Sequence, residues 1–407
     1  MFDNPYGIIN PSELFNSIAT QGNATLLKLR NNSTIPYERK SPRMWGCSEA
    51  AKLIGISIPT LRKYLDANPD IEGVFREEKK GGKNGNGIKL TLTAINYFRE
   101  LANTRYKRPV GSKPFVIAVT NLKGGVAKTQ TAVDLAKKLA ITGLRCLILD
   151  FDGQGTATLL TSGLIPDLEL DYEDTITNTL VSDPNLIHGI ILKTHFDGLH
   201  LIPANLAIQD CDLLLPNTEY NNQKSLGSPF HRVKTALDLV KENYDVILID
   251  CGPNLAVLTL NALISCNGLI IPIPPQIESY SSFVTYASSL SNLFKQININ
   301  QLDYCRFLLS KHKADKEAKA VDSMIRGLLG GLILAKHMCD TVEVSKAANE
   351  ISTIYDISKP RGSIAAHLRA IKHLDEVTDE IIEGFKDVWS YQAQEHSTED
   401  KKELAHG

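Results

Sequence analysis

FVIAVTNLKGGVAKTQTAVDLAKKLA (115–140) decides the fold. The apolar run from Phe115 to Val119 reads as a buried strand. A glycine-rich loop follows, Lys123-Gly124-Gly125-Val126-Ala127-Lys128-Thr129, and then Ala132, Leu135, Ala136 and Leu139 recur at helical spacing. Strand, glycine loop, Lys-Thr and helix is the arrangement that cradles phosphate. Gly124 and Gly125 carry no Cβ to keep backbone N–H groups from phosphate oxygens. The start of the helix adds its positive end. The expected nucleotide-binding residues are Gly124, Gly125, Val126, Ala127, Lys128, Thr129 and Gln130. Lys128 is expected on the β- and γ-phosphates and the Thr129 hydroxyl on Mg²⁺.

Outward from this stretch, CLILD (146–150), LHLIP (199–203), DVILID (245–250), GLIIPIP (268–274) and YCRFLLS (304–310) are apolar on both faces. Parallel strands covered by helices on either side have this character. Their alternation with helical stretches predicts an α/β fold with a doubly wound, mostly parallel P-loop sheet over residues 114–391. TRYKRPVGSKP (104–114), broken by Pro109, Gly111 and Pro114, reads as the linker before it. A polar tail, 392–407, is expected to fray.

The loop does not meet the standard G-x-x-x-x-G-K-[ST] pattern, because Leu122 and Ala127 stand at the two glycine positions. It reads K-G-G-x-x-K-T, with an extra lysine at Lys123. This resembles the deviant Walker A loop of the ParA/MinD/nitrogenase-iron-protein superfamily. LILDFDGQGTAT (147–158) is similar to that superfamily's D-x-D-P-Q-G-N-x-T segment, with Gly153 for the usual Pro and Thr156 for the usual Asn. YDVILIDCGPNLAVLTLNAL (244–263) resembles its Walker B strand and switch, ending on Asp250. The resemblance implies ATP and Mg²⁺ as cofactors. It implies that Asp152 orients the attacking water and that Asp250 holds the Mg²⁺ shell through water. It also implies that Lys123 reaches across a nucleotide-sandwiched dimer to the partner's phosphates. Catalysis is thus expected from Lys123, Lys128 and Asp152, and metal binding from Thr129 and Asp250. Cys251 reads as a small packed residue, not a cluster ligand.

At 407 residues, 43% hydrophobic and 22% charged, the chain is globular in composition. No apolar run approaches the ~18 residues of a membrane span, and the start, MFDNPYGIIN, lacks the pattern of a signal peptide. Seven cysteines with no C-x-x-C pair suit reduced thiols in a cytosol. The net charge of −2 conceals an asymmetry. Arg39 to Lys113 holds sixteen Lys or Arg against seven Asp or Glu, about +9, so the rest carries about −11. A basic module on an acidic body points to a partner.

Within that module, WGCSEAAKLIGISIPTLRKYLDANPDIEGVF (45–75) has helix-turn-helix spacing. Ser48 is expected to cap a first helix, Gly55 to end it, and Ser57 to cap a second with Pro59 near its start. Leu61, Tyr64 and Leu65 face inward, leaving Ser57, Thr60, Arg62 and Lys63 for DNA. EEKKGGKNGNG (77–87) suits a wing tip whose Lys79, Lys80 and Lys83 lie over the backbone, and IKLTLTAINYFREL (88–101) a returning strand and closing helix. The pattern resembles the winged helix-turn-helix of MerR-like regulators and the N-terminal domain of large plasmid-partition ATPases. A helix is also expected near Pro11 to Arg30. Toward the C-terminus, Lys313, Lys316, Lys319, Lys336, Lys346, Arg361, Arg369 and Lys372 are candidates for DNA contact without sequence preference.

Taken whole, the chain resembles the large ParA/SopA-type partition ATPases. The resemblance implies an N-terminal helical segment serving dimerisation (1–38), a winged helix-turn-helix domain with its linker (39–113), the deviant-Walker ATPase (114–391) and the tail. It further implies ATP-driven homodimerisation and non-specific binding to nucleoid DNA in the cytoplasm. A centromere-binding ParB-type partner would stimulate hydrolysis, and operator binding would repress the protein's own operon. Two other readings stay open. A MinD-like positioning ATPase would need a C-terminal amphipathic membrane helix, which the tail from Gln392 lacks. A nucleotide-regulated repressor would keep Lys128 but dispense with hydrolysis.

Overall fold

All six apolar runs become strands of one seven-stranded sheet in the computed structural model, which describes residues 11–32, 40–77, 87–217, 226–313, 315–358 and 362–406. These strands are β4 (Phe115–Val119), β5 (Cys146–Phe151), β7 (Leu199–Ile202), β8 (Val246–Cys251), β9 (Gly268–Ile273) and β10 (Tyr304–Leu309). The order across the sheet is β10-β9-β4-β8-β5-β7-β6. All pairs are parallel except β6 (Leu192–Lys193), a two-residue edge strand too short to leave a sequence signal. The chain leaves β4 toward β5 and β7, then returns through β8 to β9 and β10. The carboxyl end of β4 therefore opens on the crevice where strand order reverses.

The strands are buried on both faces, as their composition requires. Ile117, Val119, Ile148 and Leu248 pack with the helix Lys128–Ile141 and with Leu374, Ile381, Phe385 and Trp389 of the long helix Ile364–His406. Val116, Ala118, Leu149 and Ile249 pack on the other face with Leu258, Leu263 and Phe283.

Before this sheet stand β1 (Trp45–Gly46), β2 (Val74–Glu77) and β3 (Gly87–Leu90), an antiparallel set in the order β1-β3-β2, with helices Cys47–Ile54, Ile58–Ala67 and Leu92–Leu101. Gly55 takes the left-handed conformation (φ +83°) between the first two helices, and the Ser57 hydroxyl accepts the Thr60 N–H at 3.2 Å. The first helix departs from expectation. Its N-cap is Gly46, not Ser48. Gly46 is paired to Lys89 in the ladder, so the helix starts directly from the end of β1. A helix Pro11–Asn32 precedes the set, with Phe15 and Ile18 exposed. Lys79, Lys80, Lys83 and Arg361 lie outside the described residues.

Two buried clusters join this set to the sheet. The Arg99 guanidinium donates to Leu53 O at 2.9 and 3.0 Å and to Ile141 O, at the end of the helix Lys128–Ile141, at 2.7 Å. Asp356 pairs with Lys137 (2.6 Å), His195 (2.6 Å) and Lys40 (3.7 Å). The residues after Tyr391 do not fray; they continue the helix to His406. The linker docks there. Trp389 Nε1 donates to Lys113 O at 2.9 Å, Gln392 Oε1 accepts the Lys113 N–H at 3.0 Å, and His396 lies against Gly111.

Candidate nucleotide site

The loop after β4 is fixed before it reaches any phosphate. Asn121 Nδ2 donates to Pro272 O at the end of β9 (2.8 Å), and Asn121 Oδ1 accepts the Lys123 N–H (3.1 Å). Gly125 and Ala127 both adopt φ +70°. Ala127 stands where the standard motif has glycine and still takes the left-handed turn, at a cost of about 1 kcal/mol. The turn aims the start of the helix Lys128–Ile141 into a cleft of about 420 Å³. Gly124 to Gln130, Asp152 and Thr156 line one side. Met338 to Thr341, His373 and Leu374 line the other. That far wall was not legible, because its residues lie some 200 positions from the loop in no known pattern.

Lys128 is 7% exposed, and its Nζ donates to Lys123 O at 3.1 Å. Burial lowers its pKa, and Asp250 draws it partly back. Lys123 Nζ donates to the Ser279 hydroxyl at 3.0 Å. Gln130 Nε2 donates to the buried Asp134 carboxylate at 2.5 Å, so it faces the cleft only from its side.

The acidic residues divide their roles. Asp150 is tied into the fold. Its carboxylate accepts the Thr158 N–H and hydroxyl, both at 2.8 Å, and the Asp152 N–H at 3.1 Å. Burial raises its pKa to about 6. Asp152 accepts the Gln154 N–H at 3.0 Å and lines the cleft. Gly153 suits this turn, since a Cβ there would meet Gln209 at 2.9 Å. Asp250 is fully buried, and neither oxygen has a well-formed hydrogen bond. Burial and the neighbouring Asp150 push its pKa well up, with Thr129 and Lys128 offsetting this in part. A buried carboxylate with no well-formed hydrogen bond among the described residues, beside a threonine, fits a cation bound there. Among the described residues no three His, Cys, Asp or Glu gather as a metal site. Mg²⁺ on a nucleotide needs few protein ligands, because phosphate and water supply the rest. Cys251 is buried, as a packing residue should be.

On the second helix of the basic set, Arg62 and Lys63 are exposed while Leu61 and Leu65 are buried. Ser57 is engaged as a cap. Of the C-terminal basic residues, Lys313, Lys336, Lys346 and Lys372 pair with acids, and these four are exposed, as are Lys316, Lys319 and Arg369. No described helix is long and apolar enough to cross a membrane.

Comparison with known proteins agrees with this geometry. Residues 115–302 match the family described as AAA domain. Protein SopA of Escherichia coli K12 is 31% identical over 361 residues, covering 86% of this chain and 91% of SopA. The fold is similar to that of a solved partition protein (TM-score 0.61, 20% identity, 84% of this chain and 96% of that one). It is also similar to a putative plasmid partition protein of Borrelia burgdorferi (TM-score 0.52, 20% identity, 67% of this chain and 99% of that one). With a SopA-like sequence over nearly its whole length and a K-G-G-x-x-K-T loop at the mouth of the cleft, the chain belongs to the ParA/SopA-type partition ATPases.

Proposed function

We propose that this ATPase binds MgATP in the cleft above β4, dimerises around it, and uses the dimer to hold DNA for partition. The buried Asp250 carboxylate beside Thr129 carries the reading, since its burial without a well-formed hydrogen bond is costly unless a cation completes it. Mg²⁺ held by Thr129, and by Asp250 through water, would neutralise charge on the β- and γ-phosphates. The N–H groups of Gly124 to Thr129 cradle the phosphates, with Val126 and Ala127 setting the turn and Gln130 flanking it. Lys128 leaves Lys123 O for the β- and γ-phosphates. Asp152 orients the attacking water from the next strand but one, and Lys123 serves the partner subunit's nucleotide. Met338 to Thr341, with His373 and Leu374, would receive the base and ribose. Binding by position and charge, with no covalent step on the protein, suits phosphoryl transfer.

In this reading residues 1–38 serve dimerisation and 39–113 form a winged helix-turn-helix. Ser57, Thr60, Arg62 and Lys63 of its second helix, with Lys79, Lys80 and Lys83 of its wing, bind operator DNA and repress the protein's own operon. The exposed Arg62 and Lys63 over buried Leu61 and Leu65 support this. Residues 114–391 form the ATPase and hold nucleoid DNA in the cytoplasm through exposed lysines, and 392–406 extend the last helix. A ParB-type centromere-binding protein stimulates hydrolysis. ATPase assays with and without DNA, and with the product of a neighbouring partition gene, test the proposal. Turnover that rises with both supports it. Nucleotide binding with no turnover under any condition would instead make the chain a nucleotide-regulated repressor.

A further inference from the structure

We propose that Ser279 is a positioning residue that holds Lys123 within its own subunit and so restrains delivery of that lysine across the dimer. The inference rests on the reading above, in which Lys123 acts on the partner's nucleotide. Lys123 Nζ donates to Ser279 Oγ at 3.0 Å, and Ser279 is 2% exposed.

The main chain builds this contact. β9 pairs with β4, Ile117 opposite Gly268 and Val119 opposite Ile270, so the segment leaving β9 runs beside the phosphate loop. Asn121 fastens the loop to Pro272. Pro274 and Pro275 then lead into the helix Ile277–Gln296, whose first turn presents Ser279. The hydroxyl thus stands at a fixed place with the lysine within reach.

The perch is electrostatically poor. A helix start carries the positive end of the dipole, and here no side chain caps it. Glu278 in the same turn offsets this only in part. An ammonium held by one hydroxyl against a positive helix end is readily drawn off by a polyphosphate. A second restraint acts on the same residue, because Lys128 Nζ donates to Lys123 O. Lys128 is the cation required by the subunit's own phosphates. Filling the cleft therefore takes Lys128 from Lys123 O and leaves Ser279 as the remaining side-chain hold. Nucleotide binding in one subunit thereby leaves the ammonium of the lysine meant for the other on the Ser279 hydroxyl alone.

The test uses the full chain with Mg²⁺ and the non-hydrolysable analogue AMPPNP, with dimerisation followed by sedimentation. Ser279→Ala should lower the dimer dissociation constant roughly 25-fold, the scale of two net hydrogen bonds, one from each subunit. Ser279→Thr, which keeps the hydroxyl, should match wild type. Monomer affinity for ADP should be the same in all three. A Ser279→Ala dimer no tighter than wild type overturns the assignment, and so does a Ser279→Thr protein that behaves like Ser279→Ala. Lys123→Ala is measured beside them. If it dimerises like wild type, the reading of Lys123 itself falls. If it fails to dimerise while Ser279→Ala equals wild type, only the role of Ser279 falls.

Discussion

Asp150 and Asp250 stand directly opposite each other on adjacent parallel strands, both fully buried, and among the described residues the well-formed hydrogen bonds go to Asp150 while Asp250 has Thr129 and Lys128 as its only favourable neighbours. The apo protein therefore carries a carboxyl in its core that is compensated only in part. Asp250→Asn should stabilise the nucleotide-free protein by about 1–2 kcal/mol, seen as a melting temperature raised by a few degrees, while slowing MgATP hydrolysis. A carboxyl whose folded pKa is raised costs stability as pH rises above its unfolded value near 4. The gap between variant and wild type should thus widen from about pH 4 toward pH 7. A variant melting below wild type at pH 7 would show that Asp250 has a partner in the apo state.

Lys128→Ala should weaken ATP binding by about 3 kcal/mol, roughly 100-fold, because the β- and γ-phosphates are deprived of their charge-assisted hydrogen bonds to this ammonium. Equilibrium binding of a fluorescent ATP analogue reads this directly. Unchanged affinity would remove the phosphate-loop assignment.

Lys123→Ala and Asp152→Ala should separate assembly from chemistry. The first should keep one nucleotide per monomer and lose the ATP dimer. The second should bind ATP, dimerise and stop turning over, as expected of a residue that positions water. Light scattering with MgATP, paired with phosphate-release assays, distinguishes the two. A Lys123→Ala protein that dimerises and hydrolyses normally sinks the sandwich-dimer mechanism.

Arg62→Ala with Lys63→Ala should weaken operator DNA binding and reduce its salt slope by up to ~2, one for each phosphate that is no longer neutralised. Basal ATPase activity should persist. Wild-type affinity and slope would mean that the helix Ile58–Ala67 does not face DNA.

Asp356→Asn should cost about 3–5 kcal/mol at neutral pH, since it leaves Lys137 and its neighbours buried without their counter-charge. Burial alone would raise the Asp356 pKa, but Lys137, His195 and Lys40 together outweigh it and hold the carboxyl well below its usual range. A depressed carboxyl adds stability above its unfolded value, which is lost as pH falls through the folded one. Urea melts of wild type should therefore weaken below about pH 4, and the variant should lack that part of the acid dependence.

The sheet was legible because strands buried on both faces must be apolar throughout, as FVIAV and VILID are. The phosphate loop was legible because its chemistry is contiguous in the chain. The pairing of Lys123 with Ser279 was not, since it links residues 156 positions apart through the β4–β9 register. Ser48 misled for a local reason, because a serine near a helix start resembles a cap, but the ladder ends at Gly46 and begins the helix earlier. The polar residues after Tyr391 gave no apolar stripe, and their helix depends on its docking against the linker at Lys113 and Gly111.

Arg99 bears on how the proposed operator would have to be laid out. It clamps the helix that follows β3 to the far end of the helix that begins at the phosphate loop. In the proposed dimer, two such subunits joined across their nucleotides would carry their second helices as arms fastened to the ATPase through Arg99. Such a dimer would act as a ruler. Half-sites of the proposed operator would then have to lie on one face of the duplex at one separation, near a whole number of roughly 10.5-base-pair turns. About five added base pairs, half a turn, would swing one half-site to the opposite side of the helix, where no arm could follow it.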